Sequence, residues 1–364
     1  MLFTPGKIGN LELPNRLIRS ATAERMADEE GRPTPKMSTM YEVLSRGGVG
    51  LIITGHMYVH PSGKAHPEMT GVYKDDLIPD LARLADIVHA NGGKVVAQIN
   101  HGGRQSYKGV TPTPIAPSAI DESLSLDTNP ARAMTIAEIE LLADAFAQAA
   151  RRVKEAGFDG VQIHSAHGYL ISQFNSPYLN RRTDEWGGSL ENRARFLREV
   201  MQSVRYQVGN EYPVLIKFGM MDGVEGGLTL DEGALIVSMM SEMGLDGIEL
   251  SGGMGGRLLT NVKKGIKRED DEGYFLPFAQ ASRKVTQLPL ALVGGFRSKS
   301  VMEQTLQEGT VDFISICRPL INDPELPNKF REGILEKSGC ISSNNCWAER
   351  DGDGISCKCP IEKT

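Results

Sequence analysis

Nothing in the 364 residues approaches the roughly 20 consecutive apolar side chains that span a bilayer, and the amino-terminal MLFTPGKIGNLELPNRL lacks a charged region running into an apolar one. Neither a membrane span nor a secretory signal is expected, and a cytoplasmic location is. Positive charge is not in excess: 40 Lys and Arg stand against 46 Asp and Glu, a net charge of −6 without a basic stripe. A nucleic acid backbone would find no electrostatic footprint, so no such partner is expected. Cysteine is sparse, with Cys317 alone in the body and four more crowded between Cys340 and Cys359, which excludes the dispersed framework of a small secreted domain. What remains, 40% hydrophobic and 24% charged, has the composition of a globular protein with one large core or two modest ones.

Short β-rich runs alternate with helical spacing along the chain: RLIRSAT (16–22), GLIITG (50–55), KVVAQI (94–99), GVQIH (160–164), VLIKF (214–218), GIELS (247–251), LALVGG (290–295) and FISICR (313–318). Helices are expected over 135–157, 190–207 and 230–244. An internal repeat joins EAGFDGVQIHS (155–165) to EMGLDGIELSG (242–252), with EGTVDFISI (308–316) as a looser third copy. In each, a glycine supplies the left-handed helix cap before a buried strand. Eight alternations predict a closed α/β fold, the (β/α)8 or TIM barrel, over residues 1–335. A doubly wound open sheet is the alternative, but it would carry its glycine fingerprint in the first turn, and GGMGG (252–256) comes too late. The polar stretch 107–133 reads as an excursion able to form part of a lid. Residues 336–364 form a cysteine-containing tail outside the eightfold pattern.

In such barrels the chemistry gathers at the carboxyl ends of the strands. Here those ends read Ala21-Thr22-Ala23, Thr54-Gly55-His56, Gln98 to His101, His164 to His167, Lys217, Ser251-Gly252-Gly253, Gly294-Gly295 and Cys317-Arg318. Gly294-Gly295 lets backbone N–H groups approach an anion and Arg318 adds a fork of donors, the pattern of a phosphate site, although Arg318 alone would equally serve a surface ion pair. Lys217, aimed at the barrel axis, asks for a negative charge that a reduced flavin would provide. Gln98 can donate and accept, as a pyrimidine edge requires. A buried structural network would account for either side chain as well.

The pair His164-x-x-His167 admits two readings. Catalytic zinc takes three protein ligands and an open position, and His56, His101 or Asp222 could complete the set, yet no HxH or HExxH spacing is present. The following Gly168-Tyr169 fits another use, in which two imidazoles grip one oxygen and a phenol stands by as proton donor.

The segment HSAHGYLISQFNSPYLNRRTDEWGGSLENRARFL (164–197) resembles the signature of the Old Yellow Enzyme family, FMN-dependent NADH:flavin oxidoreductases that include ene-reductases and the barrel of dienoyl-CoA reductases. LFTPGKIGNLELPNRLIRSAT, QINHGGRQS, LIKF, VGGFRSKS and SICRPLINDPELPNKF extend the resemblance over residues 2–330. It implies one FMN at the barrel mouth. Ala21, Thr22, Ala23, Gly55 and His56 would line its ring, Gln98 would meet the pyrimidine edge and Lys217 would stand beside N1 and O2. Gly294, Gly295 and Arg318 would hold the phosphate, with Cys317 in the same cofactor-binding set. The resemblance further implies that His164 and His167 bind a substrate carbonyl or a phenolate, and that Tyr169 protonates the α-carbon while hydride reaches the β-carbon. The expected enzyme takes hydride from NAD(P)H and reduces the activated C=C bond of an enone-type substrate, a homo-oligomer being compatible with it. A flavin-binding redox protein with a different acceptor and a metal-dependent barrel hydrolase are the rival functions.

Within this resemblance TDEWGGSLENR is expected to be structural, Asp184 capping a turn and Glu191 pairing with Arg195. Two departures stand out. Ala23 occupies a position where many relatives carry Thr or Cys, so it cannot donate to the flavin. The tail resembles the cluster loop of iron–sulfur relatives but has Ser343 where a cysteine is expected, leaving Cys340, Cys346, Cys357 and Cys359 as candidate ligands for zinc or a cluster. A second, dinucleotide-binding half is not expected, so electrons would come from soluble NAD(P)H or a protein donor.

Overall fold

The structure, a computed structural model, describes residues 1–119, 130–255, 260–347 and 354–355. Eight parallel strands form its centre: β1 (Leu17–Arg19), β2 (Leu51–Ile53), β3 (Val95–Asn100), β4 (Gly160–Ser165), β5 (Val214–Gly219), β6 (Gly247–Ser251), β7 (Leu290–Leu292) and β8 (Phe313–Ile316). They pair in chain order, and β8 returns to β1 through Ile314↔Leu17, Ser315↔Ile18 and Ile316↔Arg19. The ring is therefore the expected (β/α)8 barrel, and its closure removes the open-sheet alternative, which would keep two edges. Several strands are shorter than their apolar runs. RLIRSAT yields only Leu17–Arg19, and LALVGG stops at Leu292 because Gly294 and Gly295, at φ 154° and 80°, leave extended geometry. A two-residue strand that the sequence did not announce, Met57–Tyr58, adds to the carboxyl end of β3.

The helices include α1 (Pro35–Arg46), α2 (Ile78–Ala90), α3 (Ile136–Glu155), α4 (Arg195–Val208), α5 (Leu230–Ser241), α6 (Leu276–Arg283), α7 (Lys299–Gln307) and α8 (Leu326–Arg331), with short turns of helix at Leu170–Asn175, Leu190–Arg193 and Arg318–Asn322. Capping boxes start α3 and α5: Thr135 with Glu138, and Thr229 with Glu232, each satisfy amide donors that the first turn leaves open. The segment expected as one helix over 190–207 is broken at Ala194 into Leu190–Arg193 and α4. Arg195 consequently reaches the Glu185 carbonyl at 2.7 Å and Asn192 at 3.2 Å instead of pairing with Glu191. Asp184 does cap its turn, accepting the Trp186 N–H at 3.1 Å.

The internal repeat has a physical reason. Gly157, Gly244 and Gly309, at φ 81°, 75° and 72°, end α3, the α5 turn and α7, and the aspartate that follows each lies at the foot of the next strand. Asp159 accepts the N–H of Val95, Asp246 that of Val214 and Asp312 that of Leu290, each at 2.8 or 2.9 Å, so every aspartate stitches its strand to the start of the preceding one. A cation joins each carboxylate: Lys94, Arg205 and Arg283.

An amino-terminal hairpin, Gly6–Ile8 with Leu11–Leu13, closes the foot of the barrel. Its Ile8, Leu11 and Leu13 cluster with Ile18, Leu51, Ile53, Val96, Leu215, Ala291 and Phe313, the inward residues of six strands. This apolar layer leaves the carboxyl end as the open one. Charge-assisted hydrogen bonds contribute about 1.5–3 kcal/mol each. Asp246→Ala should therefore lower unfolding free energy by about 2–3 kcal/mol in urea titration, whereas a loss below about 0.5 kcal/mol would show that the stitch does not hold the barrel.

Candidate active site

Side chains in a strand alternate, so two residues beyond each member of the apolar layer lies the next inward position toward the mouth. From Ile18, Val96, Leu215, Ala291 and Phe313 that step reaches Ser20, Gln98, Lys217, Val293 and Ser315, all on the floor of a cavity of about 420 Å³. One more step gives Thr22, Gly295 and Cys317 on its walls.

Lys217 is 3% exposed. Its ammonium donates to Ser20 Oγ at 2.6 Å and lies 3.3 Å from Glu249 Oε1, on the neighbouring strand and in register. Glu249 Oε2 accepts from Gln162 at 3.1 Å, and Gln162 Oε1 accepts from Gln98 at 2.7 Å. Lys217 and Gln98 thus belong to a buried network, and both also face the cavity. Gln162 and Glu249 were not singled out in the sequence, although the signal was there, since KVVAQIN, GVQIHS, VLIKFG and GIELS each carry one polar residue inside an apolar run.

His164 ends β4. Its Nδ1 accepts the Ala166 N–H at 3.2 Å, so in the neutral ring Nε2 carries the proton. The ring is neutral because burial, then His167, His56 and Lys217, hold its proton affinity well below the usual range. The chain then turns through His167 and Gly168, at φ 62° and 76°. His167 Nε2 and Ser251 Oγ are 2.7 Å apart, and burial with Lys217 pushes this imidazole down to about 3. The two rings stand 5.3 Å apart and nearly perpendicular. The turn brings the Tyr169 ring to 4.8 Å from His164 and 4.9 Å from His56, and burial keeps its phenol protonated.

At the other end of the cavity are Gly295 and Arg318, whose guanidinium donates to Lys263 O at 2.9 Å and Asn344 Oδ1 at 2.8 Å. A Cβ on Gly295 would meet the Tyr274 ring at 2.8 Å, in a backbone conformation that side chains rarely adopt. Ala21, Thr22, Ala23 and His56 also line the cavity, with Thr22 Oγ1 in contact with Cys317 Sγ. Gly55 and Gly294 do not. Gly55 lies behind the wall, where a Cβ would collide with Glu24 and the Thr22 carbonyl, and Gly294 accepts the Tyr274 N–H through its carbonyl.

The tail folds back over the mouth. Ser338 N–H donates to Arg297 O, Gly265 N–H to Ser342 O, and Ile355 N–H to Glu24 O, while Ser342, Cys346, Gly354 and Ile355 line the cavity. Of the four candidate ligands, Cys340 is buried and Cys346 is half-buried at the cavity wall, and Cys357 and Cys359 lie outside the described residues. Among the described residues no three of His, Cys, Asp and Glu gather as a metal would need, which leaves the hydrolase reading without a ligand set. His101 is taken up by Ser62 Oγ and the Gly103 N–H, and Asp222 by the N–H of Leu228. The expected lid lies partly outside the described residues at 120–129. Its described flanks pair as Ile115↔Arg132 and Ala116↔Ala133, and Tyr107 reaches the cavity. No helix among the described residues is long and apolar enough to cross a membrane.

Fold and site define a (β/α)8 barrel with a cavity lined by polar side chains at its carboxyl rim. The chain belongs to the NADH:flavin oxidoreductase / NADH oxidase family, whose model matches residues 1–337. It is 38% identical over 365 residues to an NADH oxidase of Thermoanaerobacter brockii, covering 99% of this chain and 55% of that protein. Among solved structures, a 2-naphthoyl-CoA reductase bound to 2-naphthoyl-CoA superposes with a TM-score of 0.88 at 32% identity, over 95% of this chain and 54% of the other. An Old Yellow Enzyme homologue from Zymomonas mobilis gives a TM-score of 0.78 at 28% identity, over 93% and 95% of the two chains. The chain thus spans about half the length of the first two and nearly all of the third.

Burying neutral histidines ties stability to pH. Imidazoles held at about 3 in the fold, His101 and His167, titrate near 6.5 once unfolded, so protons favour the unfolded chain below that value and stability falls with falling pH. At about 1.4 kcal/mol per pH unit each, the pair loses about 4 kcal/mol between pH 7 and pH 5. Asp222, raised to about 6 by burial, has the opposite sign and offsets about 1 kcal/mol. Urea midpoints should drop between pH 7.5 and pH 5, and constant or rising midpoints would contradict neutral burial.

Proposed function

We propose that the cavity takes one FMN and that the protein is an NAD(P)H-dependent oxidoreductase reducing activated C=C bonds of α,β-unsaturated carbonyl compounds. The observation that carries this reading is Lys217, a cation on the barrel axis at the floor of a cavity whose other wall bears two neutral imidazoles and a protonated phenol. The donor set fits the cofactor. Lys217 and Gln98 suit an electron-rich pyrimidine edge, while Gly295 and Arg318 suit a phosphate at a position where a side chain on residue 295 would fill the cradle. When bound, FMN supplies acceptance of hydride from the nicotinamide and its return to the acceptor.

The residues of the chain do the rest. His164, its Nε2–H fixed by the Ala166 contact, donates to a carbonyl oxygen without carrying charge, and His167 is positioned by Ser251 to act on the same oxygen. Tyr169 holds a proton beside them that can pass to the carbon α to the carbonyl. Lys217 favours negative charge on the group above it, and Glu249 with Ser20 keeps its ammonium in place. His164 and Lys217 are buried and His167 and Tyr169 half-buried, which limits the water that would compete for the oxygen.

Replacing both His164 and His167 with Ala should weaken phenol binding at least tenfold and slow 2-cyclohexenone reduction by 10²-fold or more, on the order of removing two such donors. Unchanged values in stopped flow would remove the pair from this role. Tyr169→Phe should slow alkene reduction while sparing reduction of bound FMN by NAD(P)H; equal slowing of both half-reactions would count against proton donation. Bound FMN with no turnover of any enone would favour a redox protein with another acceptor.

A further inference from the structure

Four cationic side chains line the cavity, Arg25, Arg104, Lys217 and Arg318, and among the described residues no aspartate or glutamate does. Two of these cations belong to the cofactor end: Lys217 is matched by Glu249, and Arg318 is bonded to Lys263 O and Asn344. Arg25 is on the opposite side. It donates to the Tyr107 hydroxyl at 2.6 Å, and its charge is felt at His56, His66 and Tyr169. Those neighbours are neutral, the imidazoles because burial holds them unprotonated. Glu68, an acid that feels the Arg25 charge, is outside the cavity wall and approaches His66 at 3.8 Å.

The backbone conformation points the same way. Arg25 has φ 55°, a left-handed geometry that costs a non-glycine residue about 1 kcal/mol or more and persists only where neighbours enforce it. They do so on both sides. The Glu24 carboxylate is fixed by the Tyr41 hydroxyl and the Gly55 N–H, and Met26 O accepts from Thr34 at 2.6 Å. The result turns a half-buried guanidinium over a cavity rather than out to solvent, beside the phenol assigned as proton donor.

We propose that Arg25 forms a subsite for a carboxylate, and that the preferred acceptor is an unsaturated carbonyl compound carrying a second, anionic group. This rests on the reading that His164 and His167 hold the carbonyl oxygen; Arg25 then takes the far end of the same molecule, with the buried Arg104 adding to the positive field. A dinucleotide phosphate is the other anion in the reaction, but it is separated by many bonds from the nicotinamide, whereas Arg25 lies beside Tyr169.

The test uses the FMN-loaded protein and flavin absorbance changes on titration with 3- and 4-hydroxybenzoate and their neutral amides, the phenol serving the histidine pair in all four. In at least one position the carboxylate should bind ten times more tightly than its amide. The amide's phenol is slightly more acidic, so any bias opposes this result. Arg25→Gln should bring the ratio near one and Arg25→Lys should keep part of it, while the ratio of kcat/KM for NADPH to that for NADH stays as it was. Equal binding of acid and amide by the unsubstituted protein overturns the proposal without any variant. So does a preference that survives Arg25→Gln, or a variant that changes the NADPH to NADH ratio instead. If none of the phenols perturbs the flavin spectrum, the histidine reading fails first and takes the subsite with it.

Discussion

A lysine ammonium held inside a barrel is the constraint around which the rest is arranged. Desolvating a charge costs several kcal/mol, and attraction to a partner repays it only when the remaining donors and acceptors are also satisfied. Glu249, Gln162 and Gln98 supply much of that satisfaction in a chain across β6, β4 and β3, with Ser20 closing it just beyond β1. The same charge acts upward. It adds to burial, the larger cause, in lowering the proton affinity of His164 and His167, so that the pair can donate hydrogen bonds as neutral rings, and it offers the cavity floor to whatever negative charge develops above it.

Such a layer is tolerable only because the barrel around it is rigid and sealed at one end. The hairpin plugs the foot with Ile8, Leu11 and Leu13, so the polar layer is reached from the mouth alone. Asp159, Asp246 and Asp312 tie the feet of β4, β6 and β8 to the strands before them, and the tail crosses the mouth to place Cys346, Gly354 and Ile355 in the wall. The apolar plug and the aspartate stitches thus lie at the foot and the polar cavity at the rim, the division that barrels of this architecture show.

Much of this was legible beforehand because a closed parallel barrel leaves two strong marks in sequence. Buried strands read as short apolar runs, and polar residues at their ends are hard to explain by stability. The family signature around His164, His167 and Tyr169 then supplied chemistry that spacing alone left open between a metal and an oxygen-binding pair. What escaped was of two kinds. Gln162 and Glu249 sit within apolar runs, and only the register between strands shows that they meet Gln98 and Lys217. Arg25, His66, Tyr107 and the tail residues reach the cavity from loops whose paths no periodicity encodes, and the strained φ of Arg25 is a property of the folded chain. Gly55, by contrast, borders the cavity segment without lining it and serves as the gap into which Glu24 fits.

The central claim is that the Lys217 cation stabilises negative charge on FMN bound above it, and the midpoint potential of the bound flavin tests this most directly. Replacing Lys217 with Gln should lower that potential by on the order of 30–60 mV, the two-electron equivalent of about 1.4–2.8 kcal/mol. A protein that takes up no FMN, or a variant whose flavin keeps the potential of the unsubstituted protein, would contradict the account.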